Sequence, residues 1–226
     1  MTITALVPIK KESERLLNKN FLSFNGRPMY TCVLETLEKC PLIDKIVVNT
    51  DAQEIASFVK NELTKGHLIR RPEHLFGNEI TMNSIIAYDL SQVSGEHFLQ
   101  THVTNPLLSI ETIEKAIATY FDQLEQFDSL ISVNAIKKRA FDAQLQPINH
   151  DNTNLLMTQD LPPILIENSN LFLFSRASYE QTKSRIGRRP QAFSMHELES
   201  LDIDHESDFK LAQLIDKNKD SLGLPG

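Results

Sequence analysis

Residues 3–20 read ITALVPIKKESERLLNKN, and the change of character inside that stretch decides the fold. Ile3–Val7 is an unbroken apolar run ended by Pro8. That is the pattern of a strand buried on both faces, as central parallel strands are. Lys10–Asn20, directly after it, is polar and basic, with no glycine before Gly26. Pro28 then opens a segment with Met29, Val33, Leu34 and Leu37 at helical spacing. Lys45–Asn49 reads as a second strand, and Ala52–Leu63 as a helix with Ile55, Val59 and Leu63 stacked. Strand, helix, strand, helix implies a parallel sheet with right-handed crossovers.

The alternation continues along the chain. Strands are predicted at His67–Arg70, His97–Thr101, Leu130–Val133, Leu171–Phe174 and Leu201–Asp204, and helices at Thr81–Leu90, Ile110–Leu124 and Ser207–Ile215. The predicted fold is a three-layer α/β/α sandwich around a mainly parallel sheet of about seven strands, one of them an edge or reversed strand. Residues 137–166 break the pattern with Pro147, Pro162 and Pro163, and read as an excursion, an arm or lid. The Gly/Pro-containing tail 221–226, SLGLPG, reads as frayed, so one domain over 1–220 is expected.

Composition narrows the partners. The chain has 226 residues, 23 Lys and Arg against 30 Asp and Glu, and a net charge of −7. Such a chain is a poor generic binder of nucleic acid or anionic membrane, because both rest on Lys and Arg. An anionic ligand must meet a local basic cluster or a metal. No run approaches the length of a membrane span and no signal-peptide pattern opens the chain, so a cytoplasmic protein is expected. Cys32 and Cys40 share one apolar-periodic segment and read as packing residues of a reduced protein.

Four groups of residues can carry chemistry. The loop after the first strand holds Lys10, Lys11, Arg15 and Lys19 against Glu12 and Glu14. It lies where ligands of open parallel sheets bind, beyond the carboxyl ends of the strands, although a solvated loop would look the same. Asp202 and Asp204 alternate with Leu201 and Ile203, so on a strand both carboxylates share a face. Side by side they repel unless a cation lies between them, and Mg²⁺ is held by one or two carboxylates plus substrate phosphates. The plainer reading makes Asp204 the cap of the last helix and Asp202 solvated. Pro72 forces Arg71 into extended geometry and aims a rigid guanidinium off a strand end. Gln100, Thr104 and Asn105 follow another strand end, where Gln100 can read a hydroxyl or carboxylate and Asn105-Pro106 can simply turn the chain. The seven histidines show no paired ligand spacing; only His102 lies in a strand-end loop.

These blocks, in this order, resemble the acylneuraminate and 3-deoxy-manno-octulosonate cytidylyltransferases. That family opens with I-P-A-R-x-G-S-K-R-x-P-x-K-N and L-x-G-x-P. Here Val7, Pro8, Lys10, Ser13, Arg15, Lys19 and Asn20 are followed by Gly26 and Pro28. Asn49-Thr50-Asp51 resembles its S-T-D, Arg71-Pro72 with Leu75 its R-P-x-x-L, and Leu99-Gln100 with Thr104-Asn105-Pro106 its L-Q-x-T-S-P, two residues longer here. Gln159-Asp160-Leu161-Pro162 and Glu167-Asn168 resemble the Q-D-L-P…E-N-G block of the acylneuraminate branch, and Asp202-Ile203-Asp204 its D-I-D.

The resemblance implies a Rossmann-like sheet of the nucleotide-diphospho-sugar transferase kind and a homodimer whose exchanged 137–166 arms close the sugar pocket. It implies CTP and a nonulosonic, sialic-acid-like 2-keto sugar acid as substrates, giving a CMP-sugar and pyrophosphate. Lys10, Arg15 and Lys19 would hold phosphates, and Asp202 and Asp204 would hold Mg²⁺. The backbone from Leu6 to Pro8, with Ser13, Asn20, Arg71, Asn78 and Thr81, would hold the nucleotide. Gln100, Thr104, Asn105, Gln159 and Glu167 would face the sugar acid, whose carboxylate needs a cation such as Lys138 or Arg139. The chain departs from the pattern at Glu12 for Gly, Glu14 for Lys, Leu17 for Pro, Asn78 for Asp and Ser169 for Gly. Two acidic residues in a triphosphate-facing loop oppose an anion. A non-catalytic relative that binds a sugar nucleotide or a partner is therefore the alternative, beside an octulosonate-type or other nucleotidyltransferase.

Overall fold

All seven residues of β1 (Ile3–Ile9) are buried. They alternate between two cores, and that alternation fixes the layers. The computed structural model describes residues 2–13, 15–77 and 79–224. After β1 come a short hairpin, β2 (Ser23–Phe24) and β3 (Arg27–Pro28), then α1 (Met29–Lys39), β4 (Ile43–Thr50), α2 (Gln53–Glu62) and β5 (Gly66–Arg70). The second half runs α3 (Met82–Gln92), β6 (His97–Gln100), α4 (Ile110–Asp122), β7 (Ser129–Ile136), β8 (Ile164–Ser175), α5 (Arg176–Thr182), β9 (Pro190–Ser194) and α6 (Glu206–Lys217). The hairpin turns through Asn25 and Gly26, both at positive φ, as the Asn-Gly pair of a two-residue hairpin does.

Seven strands form one sheet in the order β5-β4-β1-β6-β8-β7-β9. β1 runs parallel to β4 and to β6, β4 to β5, and β7 to β9. β8 is antiparallel to both its neighbours. On one face Ala5, Val7 and Ile9 pack with Val33 and Leu37 of α1, Ile55 and Val59 of α2, and Ile113 and Ile117 of α4. On the other face Leu6, Val47, Phe98 and Phe174 pack with Ile86 and Leu90 of α3 and Tyr179 of α5. The mainly parallel α/β/α sandwich predicted from the sequence is the fold observed.

Three local readings are corrected. Leu201–Asp204 is not a strand; the seventh strand is β9, which runs along β7 from Ser129↔Pro190 to Val133↔Ser194. Its burial alternates weakly at a sheet edge and it starts on proline, a position an edge strand tolerates, so its sequence carries little signal. The reversed strand lies inside the sheet and begins at Ile164, because Asn134–Ile136 pair with Ile164–Ile166 and take three residues out of the 137–166 excursion. The 221–226 tail is not frayed through 224: Leu224 is buried and its N–H bonds Lys219 O at 3.1 Å. Between Ile131 and Val133 the β7–β8 ladder shifts register, and β8 bulges there with Ser169 at φ 55. Ser132 holds the bulge, donating to Asn168 Oδ1 at 2.6 Å and accepting from Leu171 N at 2.7 Å.

A third apolar cluster joins distant parts of the chain. Phe24, Met29 and Cys32 enclose Ile203 and Ala212, with Leu16 and Phe209 at the margin. The chain before α6 is thereby pinned beside the basic loop.

Candidate active site

Connections leave β1 toward β4 on one side and reach β6 on the other, and the crevice at such a reversal is where ligands of open α/β sheets bind. A cleft of about 370 Å³ lies there. Pro8 and Lys10 from β1 and its loop, Arg71 after β5, His102 and Thr104 after β6, Ser169 from the bulge, and Asp202 and Asp204 line it. Gly77, Ile80, Met82 and Ile85 form an apolar wall. Four cations, Lys10, Arg15, Lys19 and Arg71, face the two carboxylates, so the cleft is positive in an acidic chain.

The basic loop is held at three points. Lys11 N donates to Asp51 Oδ1 at 2.7 Å, Asn20 Nδ2 donates to Lys10 O at 2.9 Å, and Lys19 Nζ donates to Ile203 O at 2.6 Å. Lys19 also reaches Asp204 Oδ1 at 3.1 Å, and Arg15 pairs with the other oxygen of Asp204. Ser13 is buried against the cleft. Glu12 is exposed and lines a contiguous outer hollow with Lys11 and Phe76. Glu14 and Asn78 lie outside the described residues.

Asp202 and Asp204 both line the cleft, but not as alternate residues of a strand. No sheet pairing holds them; Ile203, fully buried between them, bonds Thr104 O through its N–H at 2.9 Å. Asp202 Oδ1 is buried without a hydrogen-bond partner. Burial raises the Asp202 carboxyl above its ordinary value, opposed by a hydrogen bond from Thr104, and the neighbouring Asp204 raises it further. A carboxylate with an orphaned oxygen beside a second carboxylate fits Mg²⁺, which draws its other ligands from phosphates and water. Among the described residues no group of three or more His, Cys, Asp or Glu could hold a metal by itself.

Arg71 is buried and fixed. Its Nε donates to Asn49 Oδ1 at 2.9 Å and its Nη2 to Asn49 O at 3.0 Å. Asn49 Nδ2 in turn donates to Asp89 Oδ1. Burial pushes the Asp89 carboxyl up to about 7 against the pull of Asn49 and Arg71. Arg71 thus presents one edge to the cleft while Asn49 and Asp89 lock the other.

The remaining predicted residues scatter. Leu6 is buried in the sheet, and its carbonyl accepts from Thr101 N. Thr81 caps α3, accepting from Ser84 N at 3.2 Å. Asn105 is fully buried and both amide atoms lack a partner. Gln100 is buried, bonding Thr101 O at 2.9 Å and Arg185. Gln159 is exposed, its carbonyl taken by Lys137. Glu167 accepts from Ser169 N at 2.7 Å and Ser169 Oγ at 2.8 Å, which stabilises the left-handed Ser169 where the family has glycine. Leu6, Thr81, Gln100, Asn105, Gln159 and Glu167 are not among the cleft-lining groups. Cys32 and Cys40 are buried free thiols, as expected.

The family model for cytidylyltransferases matches residues 4–221. The chain belongs to the cytidylyltransferase family. Among its relatives, the N-acylneuraminate cytidylyltransferase of Escherichia coli O18:K1:H7 is 26% identical over 225 residues, 96% of this chain and 52% of that protein. The post-translational flagellin modification protein B of Campylobacter coli is 23% identical over 219 residues, 92% of each chain. The chain spans about half the length of the curated N-acylneuraminate cytidylyltransferases it matches. A solved CMP:2-keto-3-deoxy-manno-octonic acid synthetase complexed with CTP superposes with a TM-score of 0.66 at 14% identity, covering 97% of this chain and all of that one. The 4-diphosphocytidyl-2C-methyl-D-erythritol synthase of Anaerococcus prevotii superposes with a TM-score of 0.67 at 12% identity, over 96% of both chains. Among the described residues no helix is long and apolar enough to cross a membrane.

Sequence reasoning missed Asp89, Arg185 and the apolar wall of the cleft. Asp89 lies inside the Thr81–Leu90 helical pattern, where nothing in its residue type sets it apart. Only its burial between α3 and the sheet reveals it.

Proposed function

We propose that the protein transfers the cytidylyl group of CTP to a 2-keto sugar acid of the nonulosonic, sialic-acid-like kind, releasing pyrophosphate. The observation that carries this is the positive cleft at the sheet reversal with a carboxylate pair at its rim, in a chain of the cytidylyltransferase family. Lys10, Arg15 and Lys19 face the triphosphate, and Asn20 and Arg71, with the backbone from Leu6 to Pro8, hold the cytidine. The sugar's anomeric hydroxyl attacks the α-phosphorus in line; the new O–P bond forms as the bond to pyrophosphate breaks, and the hydroxyl proton leaves to solvent. Such transfers need positioning and charge neutralisation rather than a covalent protein group. Asp202 and Asp204 would hold Mg²⁺, with Arg15 and Lys19 released from Asp204 to the phosphates. When bound, the metal supplies charge neutralisation between the carboxylates and the phosphates.

The relatives' names include N-acylneuraminate, 3-deoxy-manno-octulosonate and pseudaminic acid cytidylyltransferases, and the sugar is chosen among these classes by assay. Pyrophosphate release with CTP, Mg²⁺ and each of the three acids tests the reading. Release with one acid, lost in Asp202→Asn, supports it. Silence with all three and no CTP-induced rise in Tm would instead support a non-catalytic relative. A homodimer is part of the proposal. Phe141, Leu145, Ile148, Leu155, Leu156 and Met157 stand 46–76% exposed on the 137–163 excursion, an apolar surface suited to a second copy. Light scattering after gel filtration should give twice the chain mass, and a monomer would remove this part.

A further inference from the structure

A half-buried guanidinium with no ion pair among the described residues stands at the carboxyl end of β6, beside Phe172 of β8. Arg185 lies in the connection between α5 and β9, and that connection is clamped. Asp128 accepts hydrogen bonds from the N–H groups of Arg188 and Arg189, both at 3.0 Å, and Ser129 Oγ accepts from Gly187 N at 2.9 Å. Residue 187 must be glycine, because a Cβ there would fall 2.0 Å from Asp128 Oδ1. Held this way, Arg185 reaches back across the sheet end. Its Nη1 donates to Gln100 Oε1 and lies 3.3 Å from His102 Nε2, and its guanidinium carbon sits 3.5 Å from the centroid of the Phe172 ring.

Two features make this more than a packed arginine. Nε and Nη2 donate to no other described residue, and among the described residues no carboxylate comes within 4 Å of the guanidinium. The carboxylate whose charge it feels, Glu167, is occupied by Ser169. Leaving such a charge partly desolvated and unpaired is costly, and an anion in the cleft would relieve that cost. Its neighbours are neutral as well. Gln100 Nε2 lies 3.1 Å from His102 Nε2, so two donors converge on that ring nitrogen, which therefore carries no proton. Burial and the charges of Arg185 and Lys19 push His102 down to about 3, in keeping with this. His102 lines the cleft and lies against the guanidinium, so Arg185 stands directly behind that part of the wall, with no bond to the Arg15–Lys19–Asp204 group.

We infer that Arg185 receives the carboxylate of the sugar-acid acceptor, offering Nε and Nη2 as a planar two-donor fork. The inference rests on the cytidylyl-transfer reading above, which requires an acid acceptor. A fork of parallel N–H groups matches a carboxylate better than a lysine does. It also replaces Arg139, read from the sequence, which donates to Leu156 O at 2.6 Å within the excursion, whereas Arg185 lies against His102 of the cleft wall.

The test pairs the residue with the group it is said to bind. Pyrophosphate release is measured with CTP, Mg²⁺ and N-acetylneuraminate, 3-deoxy-manno-octulosonate or pseudaminic acid, each against its methyl ester. The wild-type protein should prefer the acid. Arg185→Gln should raise the KM for the acid about 10- to 100-fold. The KM values for the ester and for CTP should stay within about twofold, as expected for loss of a binding contact. Arg185→Lys keeps the charge without the fork and should fall between. An unchanged CTP-induced rise in Tm reports that the fold and the nucleotide half are intact in each variant. Acid preference retained in both variants overturns the inference while the transfer reading stands. No release by the wild-type protein with any acid overturns the reading itself, and the inference with it.

Discussion

Replacing Asp89 by asparagine should change how stability depends on pH. Asp89 is fully buried on α3; one oxygen accepts from Asn49 Nδ2 and the other has no partner. Burial outweighs Asn49 and Arg71 and raises the carboxyl from 3.8 to about 7. Between those values the folded protein keeps a proton that the unfolded chain has released, so stability falls as pH rises from about 4 to about 7 and levels off above. Three pH units at about 1.4 kcal/mol each give about 4 kcal/mol. Asp89→Asn keeps an acceptor for Asn49 and removes the ionisation. Its new amide N–H costs about 1–3 kcal/mol at every pH, which shifts the curve without tilting it. Urea unfolding of both proteins from pH 4 to pH 8.5 isolates the effect, because every other titrating group cancels in the difference. The variant should gain about 4 kcal/mol on the wild-type protein across that range. A difference that stays flat with pH would refute the reasoning and mean that Arg71 keeps Asp89 ionised.

Other expectations are simpler. Ile203→Ala should cost about 2–5 kcal/mol, seen as a lower urea midpoint, because the side chain is fully buried and pins the Asp202–Asp204 segment. Pyrophosphate release should suffer in the same variant, since both carboxylates depend on that anchor. Ser169→Val should destabilise by about 1–3 kcal/mol, because a β-branched residue resists φ 55, whereas Ser169→Gly should unfold near the wild-type midpoint, trading the Glu167 bond for backbone freedom. Cys32, pushed up to about 11 by burial, and the equally buried Cys40 should resist a disulfide reagent at pH 8 until the protein is unfolded; rapid labelling of the native protein would contradict their burial.

The sequence alone determined the layered α/β architecture, because seven consecutive buried residues in β1 and the helical stripes of α1, α2 and α4 are local, periodic signals. It also marked the basic loop, Arg71 and the Asp202–Asp204 pair, since chemistry-bearing side chains at strand ends stand out by residue type. The tertiary structure decided what no local period encodes. β9 is a strand only because β7 offers it a ladder. Asp202 and Asp204 both reach the cleft while Phe24, Met29 and Cys32, some 170 residues earlier, enclose Ile203 between them. Thr81 and Glu167 turned out to serve the backbone, as a helix cap and a bulge clasp, because the nearest unsatisfied N–H groups belong to their own chain segments. Asp89 and Arg185 acquire their character from burial and from partners far away in sequence, and electrostatic environment is a property of three-dimensional neighbours rather than of residue order.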